Sequence, residues 1–74
     1  MADIERVLAG FPDLIVMEPR GPYHGCVIEM KRVGGSLARH QRDLLSLMGD
    51  RGYYVIVGNK GADSAFEHLE EYLK

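Results

Sequence analysis

The sequence predicts an α/β domain with its elements in the order αββαβα, a small mixed β-sheet flanked by helices. Two apolar, β-prone runs at 13–18 and 25–33 are separated by Pro19-Arg20-Gly21-Pro22, a stretch that can only turn, so the runs pair as a hairpin. The second run leads through Gly34-Gly35 into a stretch of helical period and then a third apolar run at 53–57. That is a βαβ crossover, which right-handedness closes onto the same sheet. A further helical pattern follows the third run.

Each element has a local reason. Residues 2–9 carry Ile4, Val7 and Leu8 on one side of a short helix that Gly10 ends. In the strand from Gly25 to Val33, Val27, Glu29 and Lys31 share one face and Cys26, Ile28 and Met30 the other. Ser36 is the expected N-cap of a helix reaching about Asp50, on which Leu37, Leu44, Leu45 and Met48 form an apolar stripe. Gln41 occupies a slot in that same stripe, and a glutamine aimed at a sheet needs polar partners there. A leucine in its place would complete the apolar face. Arg51-Gly52 ends the helix. Tyr53 to Val57 is apolar on both faces, which predicts the central strand. Ser64-x-x-Glu67 reads as a capping box for the last helix, with Phe66, Leu69, Tyr72 and Leu73 inward.

Seventy-four residues make a single domain, 1–74. A chain of this size hides only about 60% of its unfolded surface, so its core is thin and partner burial would help. No apolar run approaches the roughly 20 residues of a membrane span and no basic-then-apolar leader is present, so the expected location is cytoplasmic, without membrane contact. The single cysteine, Cys26, excludes an internal disulfide and a thiolate zinc site, and it reads as a small core hydrophobe. The net charge of −2 argues against tight nucleic-acid binding, yet it is unevenly spread. Between Arg20 and Arg42 lie Arg20, Lys31, Arg32, Arg39 and Arg42, with His24 and His40, against the one acid Glu29. From Asp63 onward Asp63, Glu67, Glu70 and Glu71 face only Lys74. The ordinary reading is two solvated faces; the functional one is a local basic surface that holds phosphates. No Ser/His/Asp order, glycine-rich phosphate loop or metal-binding His pair occurs.

The chemistry-bearing pattern is Asp13 at the head of the first strand and Glu29-x-Lys31 in the second. Residues two apart on a strand project side by side, so two carboxylates and an ammonium meet at one place. Hard divalent ions take oxygen ligands, which Asp13 and Glu29 supply, with the Met30 carbonyl as a further donor. Such an ion, Mg2+ or Mn2+, polarises water for phosphodiester hydrolysis. Taken singly, Glu29 and Lys31 read as an exposed strand pair, Asp13 as a turn residue and Gln41 as a local cap. Four innocent residues converging is the less economical reading.

Pro12-Asp13 followed by Glu29-x-Lys31 resembles the signature of the PD-(D/E)XK nuclease superfamily. Gly10-Phe11-Pro12-Asp13-Leu14, Ile28-Glu29-Met30-Lys31, Gly35-Ser36-Leu37 with Gln41, and Gly52-Tyr53-Tyr54-Val55 are similar in order to virus-type replication-repair nuclease (VRR-NUC) domains, over nearly all of 10–73. The resemblance implies a PD-(D/E)XK nuclease-like core and catalysis by Asp13, Glu29, Lys31 and Gln41. Gln41 would support the attacking water or the lysine. The family's first-helix glutamate has Glu5 as its candidate counterpart, although only eleven residues precede Pro12. The basic side chains Arg20, His24, Arg32, Arg39, His40 and Arg42 are then the expected DNA contacts, with Tyr23 placed to stack on a base. The implied protein is a phage-encoded homodimer acting on branched DNA, four-way junctions above all. A flap- or end-processing nuclease, and a non-catalytic α/β DNA-binding or assembly module, are the alternatives.

Overall fold

The computed structural model describes residues 11–74, so the expected helix at 2–9 and Glu5 lie outside the described residues. The described elements are β1 (Leu14–Val16), β2 (Gly25–Met30), α1 (Arg39–Asp50), β3 (Tyr53–Gly58) and α2 (Ala62–Leu73). β1 pairs antiparallel with β2, with Ile15 opposite Val27, and β2 pairs parallel with β3, with Glu29 opposite Val57. The result is the mixed sheet with flanking helices that the pattern predicts.

The sheet order β1-β2-β3 corrects one expectation: β2 is central, and β3 is an edge among the described strands. The reason lies in the helices. α2 packs Ala65, Leu69 and Tyr72 over Cys26, Ile28, Tyr54 and Ile56. α1 covers the opposite face, where Leu45 is buried and Gly49 approaches the Val55 side chain. An edge strand with a helix on each face needs apolar residues on both sides, and its sequence is then the same as that of a central strand.

The core sits between the sheet and α2. Cys26 and Ile28 there, and Val27 on the α1 face, are almost wholly buried, and each of the two aliphatic side chains contributes roughly 1.5–3 kcal/mol relative to exposure. Burial pushes the Cys26 thiol up from its ordinary value, which keeps it protonated and inert, as expected of a core residue. Tyr54 stacks on Tyr72 with ring centres 5.3 Å apart, and Tyr23 meets Tyr54 edge-on at 5.2 Å. The Tyr72 hydroxyl donates to the Glu18 carbonyl at 2.7 Å. Arg20 Nε donates to the Leu73 carbonyl at 3.2 Å, which occupies one of the acceptors that a helix C-terminus leaves free. Together these bonds tie the β1–β2 connection to the end of α2.

Element boundaries depart from the sequence reading for identifiable reasons. β1 is shorter than 13–18, because Pro19 takes the chain out of the ladder and Asp13 turns to bond Met30. β2 stops at Met30 rather than Val33, because Arg32 to Gly35 form a turn closed by the Gly35 N–H on the Arg32 carbonyl at 2.8 Å, with Gly34 at φ +79°. That dihedral is the third-position conformation of a type II turn, which favours glycine. α1 starts after Ala38 instead of Ser36, capped from within by Gln41, whose Oε1 accepts the Ala38 N–H at 3.0 Å. α2 starts after Gly61 at φ +99°, so Ser64 lies inside the helix and forms no capping box. Phe66 and Leu73, expected inward, are 52% and 38% exposed. Among the described elements α2 packs on β3 and β2, and the flanks of a helix extend beyond so narrow a support.

At the end of the sheet where β2 begins, His24 N–H donates to the Gly52 carbonyl at 2.8 Å, and Gly52 adopts φ +96°. A β-carbon on Gly52 would sit 2.7 Å from His24 Cδ2. Gly21, at φ +52°, has open space around it. Gly52→Ala therefore loses roughly 1–3 kcal/mol from dihedral strain, with the collision in addition. Gly21→Ala loses the smaller amount, of order 1 kcal/mol. Urea midpoints of the two variants measure the difference; equal losses would contradict the collision.

Candidate active site

Alternation on β2 turns Glu29 to the α1 face of the sheet, together with Val27. Lys31, one residue past the strand end, keeps the same side because its N–H still bonds the Gly58 carbonyl at 3.0 Å and prolongs the ladder. Lys31 Nζ lies 3.2 Å from Glu29 Oε2. From the first turn of α1, Gln41 Nε2 donates to the same Oε2 at 3.1 Å. The orientation of the Gln41 amide is determined at both ends. Its nitrogen faces a carboxylate that can only accept, and its oxygen faces an N–H that can only donate.

The Glu29 side chain is 5% exposed, and its second oxygen, Oε1, is buried with no hydrogen-bond partner among the described residues. A buried carboxylate oxygen without a partner costs stability. Among the described residues, Oε2 is thus bonded twice and Oε1 not at all. Asp13 immediately precedes β1, whose register with β2 ends at Leu14 opposite Ile28, and its Oδ2 accepts the Met30 N–H at 2.8 Å. Asp13, Glu29, Lys31 and Gln41 are thus all brought to one end of the sheet.

The donor set fits a hard divalent cation: Glu29 Oε1, the Asp13 carboxylate and the Met30 carbonyl are all oxygens. No group of three or more His, Cys, Asp or Glu comes together among the described residues, so main-chain oxygen and water would complete the shell. Glu5, the other acid proposed for it, lies outside the described residues.

The basic residues divide. Arg32 is exposed in the turn after Lys31, and Arg39, His40 and Arg42 stand at the start of α1, which has no acidic residue in its first turn. Cations beside the positive end of a helix dipole are unfavourable for the helix alone and favourable for an anion that comes to rest there. Arg20 and His24 are at the opposite end of β2, about 17–20 Å away along the strand. Arg20 is engaged with Glu18, Pro19 and Leu73, and the His24 ring packs against Tyr53. Tyr23 is at that far end too, against Tyr54 and Tyr72. Sequence reasoning grouped these with the site because loop position says nothing of which end of a sheet a loop occupies. It missed Asn59, which bonds the turn behind Lys31; the one available signal was its place just beyond the carboxyl end of a parallel strand.

A family model described as the VRR-NUC domain matches residues 1–59. Among solved structures, one of a VRR_NUC domain protein is similar with a TM-score of 0.78 and 32% sequence identity, over 97% of this chain and 61% of that one. The chain thus spans about three-fifths of the length of that structure. No curated protein matches.

The geometry corrects the expectation that leucine at position 41 completes the apolar face at no cost to stability. Gln41→Leu removes both a helix-capping acceptor and a donor to a buried carboxylate. The expected loss is about 1–3 kcal/mol, visible as a lower urea midpoint, with the α1 amides fraying first in hydrogen exchange. An unchanged midpoint would mean that neither bond contributes.

Proposed function

Because this chain belongs to the VRR-NUC domain family, we propose that it is a metal-dependent endonuclease that hydrolyses phosphodiester bonds in branched DNA. The observation that carries the reading is Glu29: a buried carboxylate held by Lys31 and Gln41 through one oxygen, with the other unpartnered among the described residues. Asp13, Glu29 and the Met30 carbonyl would hold Mg2+ or Mn2+. Bound there, the ion supplies a polarised water and relief of charge on the phosphoryl oxygens. Lys31, with its side chain 24% exposed, has donors left beyond its pairing with Glu29, and these orient the attacking water or meet developing negative charge. Gln41 holds Glu29 in one rotamer. Arg32, Arg39, His40 and Arg42 draw the backbone phosphates of DNA to this end of the sheet. No described helix is long and apolar enough to cross a membrane.

Isothermal titration with Mn2+ and cleavage of flaps, splayed arms, four-way junctions and plain duplex test this directly. Glu29→Gln and Asp13→Asn lose both the binding heat and cleavage. Lys31→Ala keeps the heat and loses cleavage by roughly two to three orders of magnitude, as expected on removal of a transition-state donor. Cleavage by Glu29→Gln at the wild-type rate would refute the site, and loss of metal binding in Lys31→Ala would refute its assigned role.

The working unit proposed is a homodimer, and four-way junctions are its proposed substrate. Supporting this, apolar residues stay exposed on both faces of β1, with Leu14 at 49% and Ile15 at 46%, and on the flank of α2 at Phe66. A twofold pair doubles the basic surface and sets two sites at a fixed separation, matching a substrate with its own twofold axis. Sedimentation at micromolar concentration gives a species of twice the 8.3 kDa chain mass. Full junction activity from a species of single chain mass would overturn the dimer.

A further inference from the structure

The turn that follows Lys31 is held from outside. Lys31 N–H bonds the Gly58 carbonyl at 3.0 Å, and Gly34 N–H bonds the Asn59 carbonyl at 2.9 Å. Asn59 Nδ2 donates to the Gly35 carbonyl at 3.3 Å. Three successive attachments thus carry the β2–β3 pairing beyond the last ladder residue and into the turn. Gly35 packs so closely that a β-carbon on it would stand 2.9 Å from the Arg32 carbonyl oxygen and 3.4 Å from Lys31 Cβ. Two residues separate Gly35 from Ala38, whose N–H is bonded by Gln41, and Gln41 in turn bonds Glu29, the partner of Lys31. Asn59, the turn, Gln41, Glu29 and Lys31 therefore form one closed circuit of contacts around the site.

We infer that Asn59 is a positioning residue: by pinning the Gly34–Gly35 turn to the end of β3, it fixes where Lys31 and the first turn of α1 stand relative to Glu29. The inference rests on the nuclease reading of that site and goes beyond it, since Asn59 touches neither carboxylate. Asparagine suits the task because its carbonyl and its side-chain amide, a few bonds apart, reach consecutive residues as acceptor and donor. Aspartate would set an acceptor against the Gly35 carbonyl, and alanine would leave only the main-chain bond. Neither substitution disturbs the core, since Asn59 follows β3 and the main-chain bond to Gly34 persists.

The experiment compares Asn59→Ala and Asn59→Asp with wild type in single-turnover and steady-state cleavage, Mn2+ titration and amide exchange. In Asn59→Ala the Gly34 and Gly35 amides exchange faster, kcat falls about 10- to 100-fold, and KM for DNA and the Mn2+ affinity stay within about twofold. Asn59→Asp falls further. In a Gln41→Leu background, Asn59→Ala costs less than it does in wild type, because the part of its effect that runs through α1 is already lost while the part that runs through Lys31 remains. An additive loss in that double variant overturns the inference, and so does a fall confined to KM. Wild-type turnover in Asn59→Ala alongside an inactive Glu29→Gln overturns this inference alone. Wild-type turnover in Glu29→Gln overturns the nuclease site on which it rests.

Discussion

A carboxylate taken out of water is the constraint to which the rest of the site is fitted. Glu29 lies at the end of the central strand beneath α1, where the loss of hydration has to be offset by charge and hydrogen bonds. Lys31 and Gln41 both bond one oxygen, and the other has no hydrogen-bond partner among the described residues. β2 has to be central to bury that position, α1 has to start where Gln41 can reach it, and the turn between them has to be tight. Gly34 and Gly35 provide the turn, one through its dihedral angle and the other through close approach.

Local stability is given up around this centre. α1 begins with alanine as its N-cap and with arginine and histidine in its first turn, a poor arrangement for an isolated helix. Its one internal cap comes from Gln41, a side chain also committed to Glu29. The opposite end of the molecule compensates with packing: the tyrosine cluster, the Tyr72 bond to Glu18 and the Arg20 bond to Leu73 fasten α2 to the β1–β2 connection. α2 follows the span matched by the family model, and it supplies half of a core that a three-stranded sheet cannot close alone. The proposed site and the tyrosine packing thus sit at opposite ends of the same strands.

Much of this was legible in one dimension. Alternation on β2, the helical stripe of α1 and the Pro-Gly breaks are local properties of the chain, and they determined the order of the described elements, the mixed sheet and the shared face of Glu29 and Lys31. Motif order by itself points to the family to which the chain belongs. Tertiary structure alone decided that β3 is an edge among the described strands, because cover from α1 and α2 produces the same two-sided apolar pattern as a central position. It alone separated Arg20 and His24 from Arg32, Arg39, His40 and Arg42, since the end of a sheet to which a loop belongs follows from strand direction and pairing, not from composition. The double role of Gln41 and the reach of Asn59 to Gly35 depend on distances across elements 12 and 24 residues apart in the chain. Such contacts have no period, and only the folded chain brings them together.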